Sequence, residues 1–327
     1  MSDKTTTDYE IGAVARKLNA QPLASRLELK QTSLRRIGLA LVVYALILWV
    51  LVEFIVPQWS PQTGGVTTVI PVVVLAAFVF ETLDSASGMG FGATIGTLLF
   101  ILGYSPDAVV PALLLSEAAT GLVGGAFHNE FKNVDFGFDG GSPTEATKVL
   151  GLIVSVGIVA VAISVVMTYL AFEIPDTFVK IYVGAVILVI ALTTLVKKFV
   201  EPATEYHRNR LIGFAVLAGL NKGIAGSGYG PVITIGEILS GVYEKSATAI
   251  TSMAEGIVSL AGIATFFTIS ITAYDLNLML LPSVFAGGFL AAILAPYTVR
   301  VLPNRILGYL VPGYALALAL VLFGKVL

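Results

Sequence analysis

Two stretches of the chain combine the residue types needed to hold a small oxyanion. Asp84-Ser-Ala-Ser-Gly-Met-Gly-Phe-Gly92 interrupts an apolar run, and a near copy, Lys222-Gly-Ile-Ala-Gly-Ser-Gly-Tyr-Gly230, follows at an offset of 138 residues. Glycine accepts the dihedrals of a tight break and lets a ligand approach the backbone. A helix begun just past each break, at Ala93 or Pro231, presents N–H groups that have no partner inside the helix and the positive end of its dipole. Pro231 suits a first helical position because its missing N–H would be unpaired anyway. Two such tips facing each other make an anion site without a conventional charged pocket. Gly88, Gly90 and Gly92, with Gly226, Gly228 and Gly230, are the candidate backbone donors. Ser85, Ser87, Asn221 and Ser227 add hydroxyl and amide groups. These either bind the anion or satisfy the backbone of the broken helices. Close helix packing is the other use of such glycines. It suits the Gly/Ala-rich stretch 286–292 better than a G-x-G-x-G placed twice at matching breaks.

The charged residues around these breaks are few. Lys222 stands where the first copy has Asp84, and it is the one Lys or Arg placed near mid-membrane. A cation at that depth costs about 2.5–3.5 kcal/mol on insertion scales, so it needs a partner or a role. Lys222 either holds the anion or forms an internal ion pair with Asp84, Glu117 or Glu255, and such a pair could open when substrate arrives. Glu117 and Glu255 repeat at the 138-residue offset, one segment after each break. They either exchange protons and couple anion movement to a proton or cation gradient, or they act as scaffold for the tip glycines. Asp84 is a coupling acid or the partner of Lys222. Phe91 and Tyr229 occupy matched positions and read as a gate or a cavity wall, aromatic packing being the commoner fate. Glu237 reads as solvated near the end of its half-helix, and His128 and His207 as surface residues.

Other chemistries are excluded by what the chain lacks. It has no cysteine and two histidines, with no H-E-x-x-H pattern and no nucleophile–base arrangement, so neither an enzyme, a metal centre nor a cofactor is expected. No P-loop occurs, which argues against primary pumping by this chain alone. A net charge of −2 gives no reason to expect a nucleic-acid partner.

The elements that must position these residues are membrane helices. Of 327 residues 56% are hydrophobic and 12% charged, against about 25% charged in soluble domains. Nine apolar segments follow a polar start: 37–56, 68–102 (broken at 84–92), 107–128, 148–171, 178–196, 211–240 (broken at 222–230), 246–271, 278–299 and 305–324. Lys and Arg crowd the N-terminal segment, the loop after segment five and the loop between the last two segments. The stretches 57–66, 103–107, 172–177 and 272–277 have none. The positive-inside rule then puts the N-terminus in the cytoplasm of a multi-pass cell-membrane protein. With 57–66 outside and 129–147 inside, an odd number of crossings must separate them, which makes 68–102 re-entrant. The same count makes 211–240 re-entrant from the cytoplasm. The expected fold is therefore all-α and polytopic, built from inverted repeats. Each repeat is a re-entrant helical hairpin plus three transmembrane helices, and one extra N-terminal helix precedes them. The expected divisions are a cytoplasmic segment over 1–36, the extra helix and outer loop over 37–66, and repeats over 67–200 and 201–327. The segment from Tyr9 to Leu29 fits either an amphipathic helix on the inner leaflet or a disordered tail.

Leu83-Asp-Ser-Ala-Ser-Gly-Met-Gly-Phe-Gly, Val109-Val-Pro-Ala-Leu-Leu-Leu-Ser-Glu and Gly219-Leu-Asn-Lys-Gly-Ile-Ala-Gly-Ser-Gly-Tyr-Gly-Pro resemble the TauE/SafE sulfite exporter family, also called the toluene sulfonate uptake permeases. The resemblance covers roughly residues 68 to 324. It implies secondary transport of a small sulfur-containing anion, such as sulfite or an organosulfonate like sulfoacetate, with the substrate held between the two tips. An anion channel using the same tips is the alternative. The polar N-terminus and the 129–147 loop lie outside the shared pattern.

Overall fold

The computed structural model describes residues 11–59, 69–88, 90–171, 174–197, 205–273, 277–301 and 307–326. The chain opens with α1 (Ala13–Asn19), α2 (Leu23–Leu27) and α3 (Gln31–Val50); a π-helical turn, Leu51–Ile55, carries α3 into α4 (Val56–Trp59). The first half continues with α5 (Pro71–Ser87), α6 (Phe91–Ile101), α7 (Pro106–Glu130), α8 (Glu145–Val166, ending in a π-helical turn) and α9 (Asp176–Lys197). The second half holds α10 (Arg208–Ala225), α11 (Tyr229–Leu239), α12 (Glu244–Ala273), α13 (Leu281–Val301) and α14 (Leu307–Val326). Among the described residues the strands are β1 (Phe138–Asp139) and β2 (Ser142–Pro143), a small antiparallel hairpin in the loop between α7 and α8. Five helical stretches among the described residues are long and apolar enough to cross a membrane: Gln31–Ile55, Pro106–Glu130, Glu145–Ala171, Glu244–Ile269 and Leu281–Val301. The fold is that of an all-α polytopic membrane protein, as the composition predicts.

Element boundaries follow local sequence. Pro71 and Pro106 open α5 and α7, where a missing N–H costs nothing. Thr144 caps α8, its hydroxyl accepting from Thr147 N at 3.3 Å. The 138-residue offset also recurs in the structure: α6 and α11 start at 91 and 229, and α7 and α12 start at 106 and 244.

Small residues set how the halves meet. α7 and α12 run antiparallel, with Leu114 against Gly262, Gly121 against Gly256 and Gly125 against Met253. A Cβ on Gly121 would stand 2.5 Å from Gly256 N, so the two backbones touch there. α5 lies along α13 in the same direction: Ile70 N donates to Ser283 Oγ at 2.9 Å, and Gly287 packs on the Val74–Phe78 turn. The reciprocal pair is α10 on α8. Gly219 sits on Ala160 and Gly223 on Ser164, Ser164 Oγ donates to Leu220 O at 2.7 Å, and Tyr169 Oη donates to Ile224 O at 2.7 Å. The first helix of each half is thus seated on a later helix of the other half.

α11 folds back on α10. Arg210 donates to Leu239 O at 2.6 Å, His207 N donates to Ser240 O at 3.0 Å, and Gly236 meets Phe214. The open end of this hairpin lies on the face where the N-terminal segment docks, since Ile11 bridges to Val242. α13 ends on that face too, at Arg300. The start of α13, and with it the start of α5, is therefore on the opposite face. The end of α6 meets the end of α14, where Lys325 donates to Ile101 O at 2.7 Å.

The N-terminal segment is seated on the protein at its described start. Residues 11–20 pack on the protein rather than running free, while Leu23 and Leu27 of α2 stay exposed. Ile11, Ala15 and Leu18 are buried against the protein, and Ile11 O accepts from Tyr243 N at 3.0 Å. Tyr297 Oη donates to Leu27 O at 2.8 Å, and the Arg300 guanidinium donates to the carbonyls of Ser25, Arg26, Glu28 and Phe131. Such long-range contacts leave no local trace in a sequence pattern. Residues 1–10 lie outside the described residues. α3 is peripheral, held by Tyr44, whose hydroxyl donates to Ala286 O at 3.0 Å and whose ring stacks on Phe285 and Phe289.

Candidate functional site

Both Gly-rich breaks are tight left-handed turns. α5 ends at Gly88 (φ +65°) and α6 is capped by Gly90 (φ +91°); α10 ends at Gly226 (φ +65°) and α11 is capped by Gly228 (φ +79°). A side chain at these four positions would clash with its own backbone. The closing bonds match as well: Gly88 N donates to Asp84 O at 2.6 Å and Gly226 N donates to Lys222 O at 2.8 Å. The half-helices start at Phe91 and Tyr229, two residues before the expected Ala93 and Pro231, because Gly90 and Gly228 serve as caps. Pro231 is accordingly the third residue of α11. Met89 and the side chain of Ser87 lie outside the described residues.

The two tips abut. A Cβ on Gly90 would stand 2.5 Å from the Pro231 ring, and one on Gly230 would stand 3.7 Å from Gly90 Cα. Buried Ser227 lies against Gly92, and Asn221 accepts a hydrogen bond from Tyr182 of α9. Phe91 packs at Gly288 of α13 and Tyr229 at Gly157 of α8, and both rings are buried.

At the junction sits an ion triad. Lys222, wholly buried, reaches Glu255 Oε1 at 2.9 Å and also bonds to Glu117 Oε2. Each glutamate stands against the second residue of the half-helix in its own half. A Cβ on Gly92 would fall on the Glu117 carboxylate, and one on Gly230 would come within 3.0 Å of Glu255 Oε2. Lys222 therefore ties the two halves together through the acids that line their tips. Of the partners considered for it, the structure brings Glu117 and Glu255 to Lys222. Asp84 turns instead to its own break, where its carboxylate accepts from the N–H groups of Gly90 and Phe91. That is the anion position of a helix N-terminus. At the matching position of the second break an ammonium, Lys222, cannot accept from the α11 N–H groups, and the carboxylate beside that tip is Glu255.

Two residues depart from their expected places, and a third joins the site without an expectation. Glu237 is buried, not solvated: Thr251 donates to its Oε2 at 2.8 Å, and Thr234 donates to Thr251 at 2.9 Å. α12 covers this end of α11, which hydropathy along the chain cannot show. His128 is buried too, with Nδ1 3.0 Å from Asn133 Nδ2, itself bonded to Pro296 O. Glu81 was not expected at all. It is buried one turn before Asp84 and accepts from Ser85 at 3.3 Å. Its signal was present in the sequence, as an acid three residues before Asp84 and hence on the same helix face. His207 is exposed, as expected.

The arrangement has a definite charge balance. Glu81, Asp84, Glu117 and Glu255 lie within electrostatic reach of one another, with Lys222 as the cation among them. One ammonium offsets one carboxylate.

These abutting half-helix tips and their buried ion triad sit within a polytopic all-α membrane fold. The family model of Sulfite exporter TauE/SafE matches residues 72–322. The chain belongs to that family. It is also similar to the probable membrane transporter protein YtnM of Bacillus subtilis (strain 168), 26% identical over 244 residues that cover 72% of this chain and 76% of the relative. No solved structure matches the chain.

Proposed function

We propose that this chain is a secondary active transporter of a small sulfur-containing anion, sulfite or an organosulfonate such as sulfoacetate, in the cell membrane with its N-terminus in the cytoplasm. The substrate binds where the α6 and α11 tips meet. The observation that carries this reading is the pair of abutting N-termini around Lys222, Glu117 and Glu255. Backbone donors of α11, Ser227 and Asn221 take the sulfur oxygens, and the second tip is the better anion site because the Asp84 carboxylate already accepts from the N–H groups of the first. Lys222 turns toward the anion as one of its glutamates takes up a proton. An arriving anion adds to a carboxylate surplus, so its binding is linked to proton entry. Phe91 and Tyr229 wall the site.

Antiparallel α7 and α12 at equivalent positions, and a second hairpin opening on the face opposite the start of α5, support an inverted repeat with one hairpin entering from each side. Alternating access then comes from one half moving against the other.

The test is uptake of sulfite and a sulfonate panel into proteoliposomes at two pH gradients. Saturable uptake that an inward proton gradient accelerates is the expected result. Flux that neither saturates nor responds to the gradient would make the protein an anion channel, and no flux of any sulfur oxyanion would overturn the reading.

A further inference from the structure

A polar cavity of about 510 Å³ opens on the face where the N-terminal segment docks. It lies between that segment, the start of α3 and the ends of α7 and α13. Lys30, Arg36, Lys132 and Arg300 line it with two acids, Glu28 and Glu130. Glu130 is already engaged, bonding to Arg36 and accepting from Ser33 Oγ at 2.6 Å. Arg300 spends its donors on backbone carbonyls but keeps its charge in the wall. Lys30 and Lys132 are exposed. The 20-residue helix α3 begins at this cavity with Lys30 as its N-cap residue, whose side chain makes no cap, so its first N–H groups and dipole add to the positive field. Four cations against two carboxylates, beside a helix N-terminus, favour an oxyanion.

The surroundings narrow the class. From the cavity α3 continues as an apolar helix whose Leu34 (53%), Leu39 (66%) and Val42 (57%) are exposed. An amphiphile with its charged head in the cavity would lay its chains along this surface. We propose that the cavity is a binding site for a phosphate group, in the form of an anionic phospholipid headgroup whose acyl chains follow α3. Basic pockets beside membrane helices suit such headgroups. Because the walls come from the N-terminal segment and from both halves, a bound headgroup would join all three.

The test compares the delipidated wild type with Lys30→Gln/Lys132→Gln, two exposed positions whose replacement leaves the fold intact. Binding of phosphatidylglycerol and of phosphatidylcholine is measured by native mass spectrometry, with inorganic phosphate as a third ligand in a thermal-shift assay. Phosphatidylglycerol should bind in preference to phosphatidylcholine, with affinity falling about fivefold per lysine and about thirtyfold in the double variant. Thermal protection by inorganic phosphate that is lost in the same variant supports the phosphate site with a free ion as its source. Equal binding of the two lipids without phosphate protection, or phosphatidylglycerol binding unchanged in the double variant, overturns the proposal.

Discussion

Asp84 and Lys222 occupy equivalent places in the two halves, yet Asp84 bonds back to the backbone of its own half-helix while Lys222 crosses to Glu117 of the other half. One position thus serves local capping in one half and cross-linking in the other. The glycines at 88 and 226, and at 90 and 228, are left-handed in both halves, although Gly90 (ψ 81°) and Gly228 (ψ 7°) differ in ψ, and the exchange of Asp84 for Lys222 sets the two tips apart in charge.

The triad should behave as a unit. Lys222→Met leaves two buried glutamates facing each other without a cation, which should destabilise the protein by about 3–5 kcal/mol. Adding Glu117→Gln and Glu255→Gln to Lys222→Met should recover much of that loss. Thermal unfolding in detergent across the series checks this, and losses that simply add would mean that the three residues do not share one network.

Asp84 should act as a helix cap. Asp84→Ala should cost about 0.5–2 kcal/mol, and Asp84→Asn, which keeps an acceptor for Gly90 N, should cost less. If both variants lost the same stability, the capping account would be wrong.

Substitution of glycines should sort by what a Cβ meets. Gly121→Ala and Gly92→Ala place the new carbon on the α12 backbone and on the Glu117 carboxylate, whereas Gly151→Ala and Gly213→Ala meet nothing within 4 Å. The first pair should lower the melting temperature and transport. The second pair should be neutral or gain up to about 1 kcal/mol from helix propensity. A melting-temperature series of the four single variants decides it.

The two hairpins should open to opposite sides of the membrane. The chain has no cysteine, so Leu102→Cys, just past α6, and Glu205→Cys, beside the end of α11, are clean single labels at exposed positions. A membrane-impermeant maleimide should reach them from opposite faces of right-side-out vesicles. Labelling from one face only would contradict the inverted plan.

Most of the site's outline was legible in the sequence because it is built from residues that lipid-facing helices rarely use. Paired glycine runs and two acids at a common offset stand out against an apolar background, and the structure brings Gly92, Gly230, Glu117, Glu255 and Lys222 together. Glu81 was harder to see because its counterpart at the offset is Gly219, so repetition gave no support. Glu237 and His128 were misplaced because their burial comes from distant partners, Thr251 for one and Asn133 with Pro296 for the other. The N-terminal segment docks through Ile11 on Val242, a contact 231 residues apart in the chain that no local pattern encodes.

The reciprocal seating of α5 on α13 and of α10 on α8 bears on how the protein is made. During synthesis α5, carrying Glu81 and Asp84, leaves the ribosome about two hundred residues before the helix that will cover it. Its acids cannot rest in lipid without cost over that interval. The first hairpin must therefore be sheltered by the insertion machinery, or wait at the membrane surface, until α13 arrives. Neither half, expressed alone, has the neighbour that completes it.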